Sequence, residues 1–187
     1  MTLSLNEIDA QAKRAARGAG YSWGMAEEAG KAARWLCAQG LDGVSVLAQA
    51  LTRDGTALTR GVAMADRAVR LHDEPATLMD VPCPALVLPF AAMAARQLRA
   101  GVSVDLDSAL AVTDGDRLQL SGPLPDHAAC VRVTLGGALS TPVPRLGRAS
   151  PTPEAWATLT RLAALTYAPA TDESRLRGAG AGLSDND

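Results

Sequence analysis

The chain has 187 residues, with 18 Lys+Arg against 20 Asp+Glu and a formal net charge of -2. That length is one ordinary domain, with or without an arm. The balanced charge argues against bulk electrostatic binding of nucleic acid or of an anionic membrane.

In chain order, Ser4-Leu5-Asn6-Glu7 has the S-x-x-E form of a capping box. Leu5, Ile8, Ala12, Ala15 and Ala16 follow at helical spacing until Gly18 and Gly20. A second helix is predicted from about Met25 to Gln39, with Ser22 as its candidate N-cap and Glu27 and Lys31 as an i,i+4 pair. A third runs from about Val44 to Thr52, and the short connections pack these helices on one another. The stretch Thr56 to Asp80 stays open. Val62, Ala65 and Val69 suit a helix, whereas Thr56 to Thr59 suits a short strand.

Pro82 and Pro84 force an extended backbone around Cys83. Leu86-Val87-Leu88 then reads as a short buried strand or extended core segment, and Pro89 opens a helix from Phe90 to Ala100. The period next changes to two. Val102 to Asp107 alternates, Asp114-Gly115 is a hairpin signal, and Val131 to Leu135 alternates again. This predicts an antiparallel meander of about four strands over residues 102–135. Thr141 to Pro153 is a Pro-rich connection to a final helix, capped by Thr152, with Trp156, Leu159, Leu162, Ala163 and Tyr167 as its stripe.

The predicted fold class is therefore α+β, a meander packed against N-terminal helices and a C-terminal helix. Residues 1–169 form this single domain and residues 170–187 a Gly/Ala-rich C-terminal arm. Three cysteines, Cys37, Cys83 and Cys130, are too few and odd in number for a disulfide scaffold. The N-terminus has no basic-then-apolar leader, and no apolar run reaches the roughly 20 residues of a membrane span. These features predict a cytoplasmic protein with no membrane and no nucleic-acid partner.

The run Tyr21-Ser22-Trp23-Gly24 ahead of Ala26-Glu27-Glu28-Ala29-Gly30, the segment Pro84 to Phe90, and the tail Gly178 to Asp187 resemble a bacterial family known only as a domain of unknown function. The resemblance implies no activity, cofactor or catalytic residue.

Several groups carry chemistry. His127 and Cys130 are spaced H-x-x-C, and with Cys83 and one of Asp114, Asp116 or Asp126 they could converge on zinc. Without a paired C-x-x-C the better reading is a turn histidine and a core-facing strand cysteine, so neither metal nor cofactor is assigned. His72-Asp73-Glu74 reads as a helix end and turn. Cys83 needs a histidine or a helix N-terminus beside it to become a nucleophile; otherwise it is a small buried residue. Tyr21, Ser22 and Trp23 can wall a pocket, anchor an interface or staple a helix entry. Gly178 to Gly182 has neither the pattern nor the context of a dinucleotide loop. Arg175 and Arg177 beside it can pair with a carboxylate or phosphate. Of the 18 Lys+Arg, 16 are arginine, with no spacing that singles out a basic face with aromatics, which disfavours nucleic-acid binding.

Two functions follow. The first is a small-metabolite-binding enzyme or enzyme subunit whose ligand meets Tyr21, Ser22, Trp23, Cys83, Arg175 and Arg177. No nucleophile-base pair is legible, so no catalytic residue is named. The alternative is a non-catalytic accessory protein that holds a partner chain, or a copy of itself, through the arm.

Overall fold

The computed structural model describes residues 1–53 and 55–167; the arm, with Arg175 and Arg177, lies outside them. α1 (Leu5–Gly18) opens on the predicted capping box. Ser4 Oγ accepts from the Glu7 amide at 3.2 Å, and Glu7 Oε2 accepts from the Ser4 amide at 2.7 Å. α1 packs against both α2 (Trp23–Ala38) and α6 (Pro153–Ala164), and α3 (Gly43–Thr52) closes the group. Ser22, Asp42 and Thr152 cap α2, α3 and α6. Small residues let these helices approach: a Cβ at Gly30 of α2 would stand 2.6 Å from Lys13 Cγ of α1. The i,i+4 pair predicted for α2 does not form. Lys31 reaches back to Glu28 at 2.7 Å, and Glu27 takes Lys13 across the helix interface at 2.9 Å.

The open stretch resolves into helix first and strand second. Thr56 to Thr59 begins α4 (Thr56–Asp66), a 3-10 turn follows over Ala68–His72, and β2 is Ala76–Pro82. Its period-two pattern is broken at Asp80, whose φ of 53° turns the side-chain order over between Leu78 and Val81.

Leu86-Val87-Leu88 is not a strand. The extended backbone ends at Pro82. Cys83 then adopts φ 51 and ψ 52, the left-handed escape from the right-handed helical region that Pro84 disfavours. Pro84–Val87 is a 3-10 turn that runs directly into α5 (Leu88–Leu98). Proline suits such a start because its missing N–H has no partner there anyway.

The sheet contains β3 (Val102–Asp105), β4 (Leu110–Thr113), β5 (Leu118–Ser121) and β6 (His127–Leu135). Its order is β2-β6-β3-β4-β5, antiparallel throughout. β3 to β5 form the meander. β6 then crosses back beside β3, a Greek-key order. The crossing is tied down by Ser108 Oγ, which donates to the Pro123 carbonyl at 3.1 Å. β2 adds outside β6. Leu3–Ser4 (β1) and Arg148–Ala149 (β7) pair as a separate ribbon.

One sheet face is covered by helices. α5 lies on β3 and β4 and α4 lies beside β2, while α1, α2, α3 and α6 form a layer behind them. Val102, Val104, Ala111, Leu118, Val131 and Val133 face that core. Cys130 does not. It stands opposite exposed Met79 and is half-buried, because the side-chain order of β6 breaks between Ala128 and Val131, both of them buried. The Asp107 carboxylate accepts the Ala129 amide at this irregularity, at 2.6 Å. Among the described residues, no helix is long and apolar enough to cross a membrane.

Candidate functional site

Between α2, α5 and the β4–β5 turn lies a cleft of about 480 Å³, within the roughly 300–1,000 Å³ usual for small-molecule sites. α2 lines it with Lys31, Arg34, Trp35 and Ala38, which are i, i+3, i+4 and i+7 and so share one helix face. α5 lines it with Pro89, Met93 and Arg96. Asp116 comes from the turn and Arg145 from the Pro-rich connection.

The predicted Asp-Gly hairpin holds this arrangement. Trp35 Nε1 donates to the Gly115 carbonyl at 3.0 Å, and Gln39 Nε2 donates to the Asp116 carbonyl at 2.9 Å. One turn of α2 is thereby stapled to the sheet. Gly115 has φ +105°, and a Cβ there would stand 3.1 Å from the Ala92 carbonyl and overlap Arg96. Glycine is thus required both by the turn and by its approach to α5. Asp114 accepts from the amides of Asp116 (3.0 Å) and Arg117 (2.8 Å) and pairs with the Arg117 guanidinium. Burial pushes the Asp114 carboxyl up, but the Arg117 and Asp116 amides and the Arg117 guanidinium outweigh it and hold it below the ordinary value. On the far side, the Leu146 amide donates to the Ala38 carbonyl at 2.8 Å and holds the Arg145 segment against α2.

The cleft is cationic over an apolar floor. Its charged lining is Lys31, Arg34, Arg96 and Arg145 against Asp116. Lys31 is engaged by Glu28, while Arg34, Arg96 and Arg145 form no ion pair among the described residues. Trp35, Met93 and Pro89 supply apolar surface.

Tyr21, Ser22, Trp23 and Cys83, singled out in the sequence, lie elsewhere. Ser22 is the N-cap of α2. Trp23 is 71% exposed, with the Arg17 guanidinium 4.6 Å from its ring centroid. Tyr21 is half-buried against Gly55, just past α3, and its carbonyl accepts from Arg17. Cys83 is buried with its Sγ 3.9 Å from Gln49 Oε1 of α3, and its amide donates to the Asp126 carbonyl. Tyr21 and Cys83 thus both reach the C-terminal end of α3, and neither lines the cleft between α2 and α5. Cys83 does stand directly before a 3-10 turn and helix, closer to a helix start than the sequence suggested. Arg175 and Arg177 lie outside the described residues.

The zinc candidates do not converge into a ligand set. Pro82 faces His127 in register whereas Met79 faces Cys130, and His127 Nε2 sits 2.6 Å from Asp80 Oδ1. Among the described residues, no group of three or more His, Cys, Asp or Glu side chains could hold a metal ion. The residues the sequence reading passed over are Arg34, Trp35, Arg96 and Arg145. The available signal was the tryptophan and its cationic neighbours, one face of a helix otherwise rich in alanine.

The comparisons reach only the first part of this architecture. No curated protein and no solved structure matches the chain. Residues 3–79, from β1 through α4 into β2 and including the Tyr21–Gly24 loop and Trp35, match the family described as Protein of unknown function (DUF3726).

Proposed function

We propose that the protein binds a small amphipathic anion, an aromatic carboxylate or phosphate ester of metabolite size, in the cleft between α2 and α5. One observation carries this reading. Arg34, Arg96 and Arg145 surround an apolar floor containing Trp35, and none of the three is in an ion pair among the described residues. Guanidinium groups bind carboxylate and phosphate in bidentate fashion, and Trp35, 8% exposed, adds apolar surface beside them. The proton-transfer groups of the lining are Asp116 and the engaged Lys31, so the reading is of binding first. It suits an enzyme subunit or a ligand-dependent accessory protein. Three cysteines free of disulfides support a reducing, cytoplasmic setting, and the family resemblance supports a bacterial one.

A thermal-shift panel tests it, with nucleoside monophosphates, indole carboxylates and their neutral analogues. The anions stabilise the wild type by mass action, and the Arg34→Glu, Arg96→Glu double variant loses the effect. Equal stabilisation by the neutral analogues would defeat the reading.

A second observation favours the partner reading. An apolar groove of about 620 Å³ runs along α6, lined by Met1, Pro151, Pro153, Trp156 and Ala164 among others, and it can seat an apolar side chain of a partner. Light scattering across a concentration series separates self-association, which raises the mass, from capture of a different chain.

A further inference from the structure

The segment from Arg60 to Leu78 holds a second cationic groove, distinct from the ligand cleft and independent of it. α4 and the 3-10 turn Ala68–His72 run one way, β2 returns beside them, and about 350 Å³ lies between. β2 ends the sheet. Among the described residues it pairs with β6 alone. Its other edge therefore presents backbone N–H and C=O groups that no strand takes up, a template for an added strand. Ala76, Thr77 and Leu78 all line the groove although successive side chains point to opposite faces, so the groove opens on the edge of the strand.

The helical wall is cationic. Arg60, Arg67 and Arg70 line it against one acid, Glu74, and none of the three arginines is in an ion pair among the described residues. Arg60 Nη1 donates to the Asp80 carbonyl at 3.2 Å and closes the groove at the end of β2. Arg67 and Arg70 are three residues apart across a 3-10 turn, where i and i+3 eclipse and share a face.

Length selects the occupant. Arg60 to Arg67 spans about 10 Å of helix and Arg67 to Arg70 about 6 Å of 3-10 turn. A single phosphate or carboxylate engages one or two guanidiniums and cannot bridge such a row. An extended chain, at about 3.3 Å per residue, covers it in about five residues, three of which can pair along Ala76–Leu78, the part of β2 that lines the groove. We propose that this edge captures an acidic, extended peptide segment of a partner protein, which adds to β2 as a strand and sets its carboxylates against Arg60, Arg67 and Arg70.

Selecting a random ten-residue peptide library on the immobilised full chain tests the proposal. The enriched peptides are expected to carry two or more acids within five residues and no proline between them. The best of them slows hydrogen exchange of the amides in residues 74–80. The Arg67→Glu, Arg70→Glu double variant changes two exposed side chains, keeps the wild-type melting temperature and binds that peptide at least about tenfold more weakly. Enrichment of neutral or basic peptides, unchanged affinity in the variant, or binding without protection of β2 would overturn it. If sodium pyrophosphate alone matches the affinity of the best peptide, the groove is a small-anion site and the peptide proposal fails.

Discussion

The indole Nε1 of Trp35 donates to the carbonyl oxygen of Gly115 at 3.0 Å, joining the last turn of α2 to the tip of the β4–β5 hairpin. The bond is buried and links segments distant in sequence, so it fixes the distance between a helical layer and the sheet. The candidate cleft is the space this staple leaves between α2 and α5.

Trp35→Phe removes the donor and leaves a buried carbonyl without its partner. The expected loss is about 1–3 kcal/mol of stability, read from urea unfolding. The same variant should give less anion-induced stabilisation, because α2 and the hairpin tip are no longer held in register. An unchanged urea midpoint would show that the staple is dispensable.

Gly61→Ala decides between two opposing effects. In α4 alanine gains about 1 kcal/mol of helix propensity over glycine. Here, however, a Cβ would stand 2.9 Å from Phe90 Cε2 and overlap its Cδ2, and Phe90 is fully buried in the core. Overpacking of about 1–3 kcal/mol therefore wins, and the melting temperature is expected to fall. A rise would mean that α4 and α5 separate at little cost.

The pH dependence has two limbs of opposite cause. Asp114 is held below its ordinary value of 3.8, so its contribution is present above about pH 4 and is lost as pH falls through the folded-state value. Asp114→Asn should flatten that acid limb of the stability curve. Burial pushes the Cys37 thiol from 9.0 up to about 11. The unfolded thiol ionises first as pH rises past 9.0, so stability falls from there until the folded thiol ionises near 11. At pH 8 iodoacetamide is expected to label half-buried Cys130 well before buried Cys37. Mass spectrometry of the labelled peptides reads the order, and early labelling of Cys37 would contradict its burial.

What the sequence revealed was what is decided within a few residues. The caps at Ser4, Ser22 and Thr152, the Pro153 start and the Asp114-Gly115 hairpin are each local rules satisfied locally. β2 escaped because its alternation breaks at Asp80, where a left-handed residue puts Leu78 and Val81 on the same side. Leu86-Val87-Leu88 was misleading because a short apolar run is the same whether it fills a buried strand or a buried helix; the conformation of Cys83 chooses. The cleft was less legible still. Tyr21 and Trp23 stood out as aromatics in a loop, whereas Trp35 lies beside Leu36 inside a helix and reads as core. Arg34, Arg96 and Arg145 become neighbours only once α2, α5 and the Pro-rich connection meet.

The most direct test of the cleft is an NMR titration with 1-anilinonaphthalene-8-sulfonate, an aromatic anion, following the indole N–H resonances of Trp23, Trp35 and Trp156. Trp156 lines the apolar groove on α6 and Trp35 the cationic cleft, so the probe chooses between apolar surface alone and apolar surface with positive charge. The Trp35 resonance is expected to move and saturate at one equivalent, and Arg34→Glu with Arg96→Glu to abolish the shift. Movement of Trp156 with Trp35 unmoved would contradict the proposed anion site.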